Sequence, residues 1–330
     1  MKNSLSKCLL RTAAKNSVFR GFLCIISLFV FFDAAAAERF ALDMGQEKVA
    51  YYFAEHDIMK GDSTLEYAVI FIHGAGGGAK DAARRTRAKL KQYKPDSKIY
   101  CVAPSFLTQK NCPAKIRKDA LIWARGWRWG DPAENCGKVG SFDVIDRIYT
   151  IFSNPQLYPA MKRIVLCGFS AGGQCVNRYI AVGKLPVNPK IETVFISGGG
   201  SSYLYVDDLR FVDGKFRKVK ADNGFNDWYL GLDNRNAYCK DLSKEEIMKN
   251  LSTRQTYYFM GTADHGKYPF PMQGKDRLDR FEIYQKYVER FPSWKKATRF
   301  ITVPDIAHDT LVFFHENITQ KIVYGEISKK

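Results

Sequence analysis

Short apolar runs that stop at glycine or proline recur along this sequence and alternate with helical patterns. Continuous apolar runs of this kind are typical of strands buried on both faces of a parallel sheet. The runs lie at 66–74, 98–104, 163–168, 192–199, 255–261 and 299–304, and the helical patterns lie at about 80–93, 141–153, 171–183, 275–290 and 309–323. A further segment near 47–55 alternates as an outer antiparallel strand does. The pattern predicts an α/β fold with a mostly parallel central sheet and helices on both faces.

The first 37 residues have the composition of a secretory signal peptide. Residues 21–32 form an apolar core that is too short for a stable membrane anchor, and the sequence DAAAAE after it offers small residues for cleavage. Basic side chains precede the core, at Lys2, Lys7, Arg11, Lys15 and Arg20. We expect a secreted or periplasmic protein whose mature domain spans 38–330, with an uncleaved N-terminal anchor as the alternative.

Export would place the remaining cysteines in an oxidising environment. They are even in number after position 37: Cys101, Cys112, Cys136, Cys167, Cys175 and Cys239. Some are expected to pair, and Cys112 with Cys136 is the predicted disulfide because the two bracket a tryptophan-rich segment. No spacing of Cys and His typical of a zinc site occurs, so no metal is expected.

The chain is strongly basic. Its formal net charge is +17, and removal of the five positive charges and one negative charge in 1–37 lowers it to +13. Such a charge favours an anionic envelope surface as a partner. The densest basic stripe, 80–94, is predicted to form a helix with Ala83 and Leu90 inward. An ordinary solvated helix face is the favoured interpretation of this stripe, and a nucleic-acid site is the alternative. No nucleic-acid motif accompanies the charge, so nucleic acid is not an expected partner.

Two glycine-containing motifs follow predicted strands, where ligands bind in sheets of this class. The first is HGAGGG at 73–78, which lacks the Lys-Ser/Thr of a phosphate loop but could present backbone N–H groups to an oxyanion. The second is GFSAG at 168–172, which has the pattern of a nucleophile elbow and makes Ser170 the candidate nucleophile. Ser170 as a small turn residue or helix N-cap is the alternative.

A serine nucleophile needs a base, and the base needs a carboxylate. His308 lies after the last predicted strand and is the candidate base, with an ordinary loop histidine as the alternative. Asp264 follows the strand at 255–261 and lies between Ser170 and His308 in chain order, as the acid should. Other carboxylates near strand ends or near the base leave the acid open: Asp207, Asp208, Asp305 and Asp309.

These motifs resemble those of α/β-hydrolase-fold serine hydrolases across most of the mature length. The resemblance is carried by HGAGG at 73–77, GFSAGG at 168–173, GTAD at 261–264 and His308. Less specific matches to a group of secreted or bacterial hydrolases are SFDVID at 141–146, SSYLY at 201–205, FNDWYLGLDN at 225–234 and QGKDRLDRF at 273–281. Together with the residue types at these positions, the resemblance implies acyl transfer with no metal or cofactor. It also implies that the backbone N–H groups of Ala75 and Ala171 bind the oxyanion, with Gly74 or Gly76 as alternatives.

Specificity is expected to lie in two insertions, 120–137 and a lid at 198–254. The candidate substrate-binding side chains are Trp129, Tyr203 and Trp228. For the lid aromatics, a place in the lid's own small core is the favoured alternative, because a partly separate lid has to bury apolar surface. A carboxylic-ester hydrolase acting on a small-molecule or polymer-borne ester is the predicted function. A peptidase or amidase with the same triad and a non-catalytic binding protein on the same scaffold are the alternatives.

Overall fold

Eight strands form the central sheet of this computed structural model, which describes residues 37–186, 188–219, 224–267 and 271–327. The described residues contain ten strands, two of which lie outside this sheet. In chain order they are β1 (Glu38–Leu42), β2 (Ala50–Ala54), β3 (Tyr67–Ile72), β4 (Ile99–Ser105), β5 (Arg163–Phe169), β6 (Glu192–Gly198), β7 (Leu209–Val212), β8 (Lys215–Lys218), β9 (Gln255–Gly261) and β10 (Thr298–Val303). Strands β7 and β8 form a separate hairpin.

The sheet has the order β1-β2-β4-β3-β5-β6-β9-β10. Every neighbouring pair from β4 to β10 is parallel, whereas β2 is antiparallel to both β1 and β4. The predicted mostly parallel sheet is therefore confirmed. The carboxyl ends of β3, β5 and β9 lie at one edge, where the chain carries HGAGGG at 73–78, GFSAG at 168–172 and GTAD at 261–264.

Helices cover both faces of the sheet. They are α1 (Ala79–Tyr93), α2 (Ser141–Phe152), α3 (Ala171–Val182), α4 (Lys244–Thr253), α5 (Arg277–Val288), α6 (Pro292–Ala297) and α7 (Ile318–Tyr324). Alternate residues of β3 enter two different apolar clusters: Ala68, Ile70 and Ile72 one of them, and Val69 and Phe71 the other. Burial on both faces explains why this strand is continuously apolar.

Helix α1 buries the inner face expected of it, with Ala79, Ala83, Thr86 and Leu90 inward. Its arginines at 84 and 85 are exposed, whereas Arg87 forms an ion pair with Glu55. The last helical pattern differs from its prediction, because Glu316 and Asn317 adopt positive φ values of 48° and 57° and divide it into short 3-10 turns and α7. The left-handed conformation cannot continue an α-helix.

The segment predicted as a lid, 198–254, consists of three different parts. Residues 201–206 are buried, β7 and β8 form the hairpin, and α4 is a helix between β6 and β9. We use the name post-β6 segment for residues 199–242, of which 220–223 lie outside the described residues.

The predicted signal peptide falls almost entirely on residues 1–36, which lie outside the described residues. Within the described ranges, no helix has the length and apolar character needed to cross a bilayer.

Candidate active site

Ser170 occupies the turn between β5 and α3 in a backbone conformation that side chains rarely adopt. Its φ is 59° and its ψ is −115°. Glycines flank it because backbones pass very close there: a Cβ at Gly172 would lie 2.1 Å from the carbonyl oxygen of Ile72, and one at Gly168 would lie 2.5 Å from that of Gly172. Strain of this kind persists only where the surroundings enforce it, and it concentrates at functional sites.

A continuous chain of hydrogen bonds joins Ser170, His308 and Asp264. The Ser170 hydroxyl lies 2.9 Å from Nε2 of His308, and Nδ1 of His308 lies 2.6 Å from Oδ2 of Asp264. The arrangement makes Nε2 the acceptor of the serine proton and Nδ1–H the donor to the carboxylate. The imidazole also packs against Phe169, with ring centroids 4.8 Å apart. The three residues that the sequence singled out are therefore within bonding distance of one another.

Asp264 lies in the loop after β9 with its side chain only 2% exposed. Burial would raise the pKa of Asp264, but hydrogen bonds and charge interactions with His308 and Arg277 outweigh it and lower the pKa below its usual value. Arg277 Nη1 donates to Oδ1 over 2.9 Å. The carboxylate is thus held ionised at neutral pH beside the imidazole.

The alternative acids have other partners. Asp207 accepts hydrogen bonds from Tyr287 and Arg290, and Asp208 pairs with Lys218. Asp309 caps the backbone N–H of Leu311. Asp305 has its backbone N–H bonded to the Thr262 hydroxyl and lies exposed. Of the five candidates, Asp264 is the one that bonds to His308.

His73 anchors the glycine loop after β3. Its Nε2 accepts the backbone N–H of Phe106 over 3.0 Å, so Nδ1 carries the hydrogen and donates it to the carbonyl oxygen of Gly74 over 2.7 Å. Burial lowers the pKa of His73, which keeps the ring neutral in this role. The loop is closed by a hydrogen bond of 3.1 Å from Gly77 to Gly74.

The two N–H groups expected to bind an oxyanion are both available. Within the described part of the chain, neither Ala75 nor Ala171 donates its backbone N–H to another residue. Ala171 is the first residue of α3, where the helix itself supplies no acceptor. Ala75 lies exposed at the tip of the glycine loop.

A cavity of about 200 Å³ lies beside this loop. Its lining includes Gly76, Gly77 and Gly78 together with two basic side chains, Arg39 and Lys80. The glycine loop therefore borders a basic hollow.

The three predicted substrate-binding aromatics have different environments. Trp129 is partly exposed and stacks on Tyr229 with ring centroids 3.5 Å apart, and its carbonyl accepts the indole N–H of Trp228 over 2.9 Å. Tyr203, in contrast, is 2% exposed and stacks on Tyr284 of α5. The expectation that Tyr203 contacts substrate is corrected, because its ring is enclosed in the aromatic core and has no open face.

All six cysteines of the described residues are free thiols, so the predicted Cys112–Cys136 disulfide is absent. Cys112 packs in a small cluster with Leu107 and Ile122, whereas Cys136 packs against the large core cluster. Their packing in two different clusters explains why bracketing the same segment does not bring them together.

The described residues contain no group of three or more His, Cys, Asp and Glu side chains that could hold a metal ion.

Solved structures with similar folds include two hydrolases. Poly(aspartic acid) hydrolase-1 from Sphingomonas sp. KT-1 is 17% identical with a TM-score of 0.58, covering 88% of this chain and 98% of its own. The poly(3-hydroxybutyrate) depolymerase LpqC from Bordetella parapertussis is 14% identical with a TM-score of 0.60, covering 89% and 91%. The chain has the α/β-hydrolase fold. No protein-family model matches the sequence, and no curated protein matches it significantly.

The sequence pattern predicts no role in the site for two of its residues, Arg277 and His73. Arg277 lies 13 residues beyond Asp264 at the start of α5, and no motif relates the two. His73 was part of the glycine motif, but its contact with Phe106 joins positions 33 apart in the chain. Spacing in the sequence carries no signal for such contacts.

Proposed function

We propose that this protein is a serine hydrolase that cleaves carboxylic esters through an acyl-enzyme. The observation that carries the proposal is the unbroken hydrogen-bond chain from the strained Ser170 through His308 to the buried Asp264. A serine hydroxyl is a weak nucleophile at neutral pH, and a neutral imidazole within 3 Å is the group that activates it.

In the proposed reaction, Ser170 Oγ attacks the ester carbonyl while Nε2 of His308 takes its proton. The resulting negative oxygen is bound by the N–H groups of Ala171 and Ala75. The imidazolium, stabilised by Asp264, returns the proton to the departing alcohol oxygen, and the acyl group stays on Ser170. Water, deprotonated by His308, then attacks the acyl carbon. The bond to Ser170 Oγ breaks, the imidazolium returns the proton to Oγ, and the acid is released.

A fluorophosphonate probe tests the nucleophile, because only an activated serine reacts with it. We expect one label per chain on Ser170 in the unaltered protein and none in Ser170→Ala or His308→Gln. Loss of a nucleophile of this kind typically lowers turnover by about 10⁶-fold. An unlabelled protein without turnover would favour the non-catalytic binding protein, and a Ser170→Ala variant with more than a tenth of the activity would disprove the assignment.

A substrate panel separates the ester hydrolase from the amidase. The two structural neighbours are named as hydrolases of polymers, one of poly(aspartic acid) and one of poly(3-hydroxybutyrate). The panel therefore includes aryl esters of graded acyl length, soluble 3-hydroxybutyrate oligomers and aspartate oligomers. We expect esters to be cleaved faster than amides of the same acyl group, and the reverse order would support the amidase.

We propose in addition that the protein is exported and works near an anionic surface. We also propose that Trp129 and Trp228 contact the substrate in the active site. The basic lining of the cavity beside the glycine loop and the exposed Lys80, Arg85 and Lys89 of α1 support the charge argument. Mass spectrometry of exported protein should find an N-terminus near Glu38. Binding to anionic vesicles should weaken as salt is added, since screening shortens the reach of surface charges.

A further inference from the structure

The two oxygens of the Asp264 carboxylate bind different partners. Oδ2 accepts the Nδ1–H of His308 over 2.6 Å, and Oδ1 accepts Nη1–H of Arg277 over 2.9 Å. The Asp264 side chain is 2% exposed and that of Arg277 is 14% exposed, so the contact is shielded from water. A guanidinium cation therefore lies on the far side of the acid from the imidazole.

Arg277 is held in this place by the start of helix α5. Its backbone N–H donates to the carbonyl oxygen of Gly266 over 3.2 Å, and that of Leu278 donates to the carbonyl oxygen of Asp264 over 3.1 Å. A Cβ at Gly266 would lie 1.8 Å from Arg277 Nη1, so the guanidinium fills the space that a larger residue there would need. The loop and the helix together define where the positive charge lies.

Other charged groups around the pair bind elsewhere. Asp276 pairs with His265 at 3.2 Å, and Arg280 donates to the carbonyl oxygen of Ser201. The remaining titratable or charged neighbours on the elements around the site are Tyr203, Lys267, Lys275, Asp279, Asp305 and Asp309. In the described residues, Arg277 is the only cation besides protonated His308 that is hydrogen-bonded to Asp264.

The charges of Asp264, Arg277 and His308 explain how Arg277 affects protonation of the imidazole. With His308 neutral, Asp264 and Arg277 form a balanced pair. Protonation of the imidazole adds a positive charge that Asp264 must share between two cations. Without Arg277, the imidazolium would have the carboxylate to itself and would persist to higher pH.

We propose that Arg277 is a positioning residue of the triad, which orients Asp264 and by its charge extends the action of His308 as a base to lower pH. The inference rests on the proposed serine hydrolase function. Arg277 itself does not touch the reacting atoms. Its effect is transmitted through Oδ1 of Asp264.

The test compares the pH dependence of kcat/KM in Arg277→Gln, Arg277→Lys and the unaltered protein. We expect the acidic limb of the Gln variant to move up by about half a pH unit to one unit, as removal of a nearby screened charge does. Activity below the midpoint should then fall about 3–10-fold more than activity above it. Arg277→Lys keeps the charge and should keep the midpoint, with a uniform loss because an ammonium group on a flexible stem replaces the planar guanidinium.

The matched control is Arg290→Gln. Arg290 lies just beyond the end of α5, is 29% exposed and pairs with Asp207 instead of the triad acid. This variant loses the same charge and should keep the midpoint of the unaltered protein. Arg277→Met must reproduce the shift of Arg277→Gln, and it serves as the charge-free variant if the Gln variant does not fold.

A second measurement does not need turnover. NMR titration of the His308 ring, assigned by comparison with His308→Gln, should show the same upward move in Arg277→Gln and none in Arg290→Gln. In Arg277→Gln, an unchanged midpoint or an equal loss of activity at every pH would overturn the proposal and leave Arg277 a structural role. Failure of the fluorophosphonate label on the unaltered protein would count against the hydrolase alone, because the NMR titration still decides the role of Arg277.

Discussion

The nucleophile elbow and the post-β6 segment are both close-packed, but they are held together by different means. In the elbow, backbones approach each other directly, and the positions at 168, 172 and 173 have room only for glycine. In the post-β6 segment, buried side chains reach across to backbone oxygens. Arg178 of α3 donates to the carbonyl oxygens of Ser202 and Tyr229, and it is fully buried. A local sequence motif thus determines the structure of the elbow, whereas contacts between residues far apart in sequence hold the post-β6 segment in place.

The segment has a second attachment through a partly buried carboxyl group. Asp146 of α2 accepts hydrogen bonds from Tyr179 over 2.6 Å and from Tyr238 of the post-β6 segment over 2.8 Å. These contacts, and those of Arg178, hold residues that lie far apart in sequence. If the comparison is right, changes in the elbow and triad should abolish chemistry, and changes at these attachments should loosen the segment while the triad still reacts.

The largest effect is expected from Asp264→Asn, which breaks the triad without changing its shape. The amide cannot hold the imidazole in the tautomer with hydrogen on Nδ1, so kcat should fall by about 10⁴-fold with little change in binding. Steady-state kinetics on a soluble aryl ester measure this. Asp207→Asn is the control. A larger loss of kcat in Asp207→Asn than in Asp264→Asn would mean that Asp207, in the post-β6 segment, is the acid of the triad.

The next effect is expected from Gly172→Ala in the elbow. The added methyl would lie 2.1 Å from the carbonyl oxygen of Ile72 and 2.8 Å from that of His73, and neither backbone atom can move away easily. We expect a loss of about 3 kcal/mol in the free energy of unfolding, at the upper end for overpacking, together with loss of labelling at Ser170. Gly76→Ala has open space around its Cβ and should unfold like the unaltered protein in urea.

Arg178→Met should loosen the post-β6 segment and spare the triad. Its removal leaves the carbonyl oxygens of Ser202 and Tyr229 without their donor, at a cost of about 2 kcal/mol for buried bonds to a charged group. Hydrogen exchange should become faster in 199–242 and stay unchanged around 168–173. Equal acceleration in both regions would show that the two are one cooperative unit, against the comparison.

The smallest effect is a pH-dependent one at Asp146. Burial raises the pKa of Asp146 to about 6, although its bonds to Tyr179 and Tyr238 oppose the change. The folded state therefore binds this proton more tightly than the unfolded state does. Protonated Asp146 adds to the free energy of unfolding at low pH, and this contribution is lost as the pH rises through about 6. Asp146→Asn removes the dependence, so its unfolding free energy relative to the unaltered protein should rise by about 1 kcal/mol from pH 5 to pH 8.

Chemical denaturation at the two pH values tests this, with Asp241→Asn as the control. Asp241 is exposed and should give the same difference at both. A constant difference for Asp146→Asn as well would mean that its carboxyl group is already ionised throughout the range.

The sequence allowed the sheet and the position of the candidate site to be predicted because both depend on local patterns. Strands buried on both faces must be continuously apolar, and a strained turn between strand and helix needs small residues on both sides of Ser170. It did not allow the Cys112–Cys136 pairing or the exposure of Tyr203 to be predicted. The pairing was inferred from the segment that the two cysteines bracket, and the exposure from the place of Tyr203 in a long insertion, whereas packing against distant elements decides both.

What the sequence determined by itself is therefore the part of the protein where the backbone conformation and the residue type are tied together: the buried strands, the glycine loop at 73–78 and the turn at Ser170. Only the tertiary structure decided which partner each polar group meets. Asp264 lies 44 residues from His308 and 13 from Arg277, and His73 meets the N–H of a residue 33 positions away. These pairings follow from the sheet order β4-β3-β5-β6-β9-β10, because the carboxyl ends of parallel strands converge at one edge.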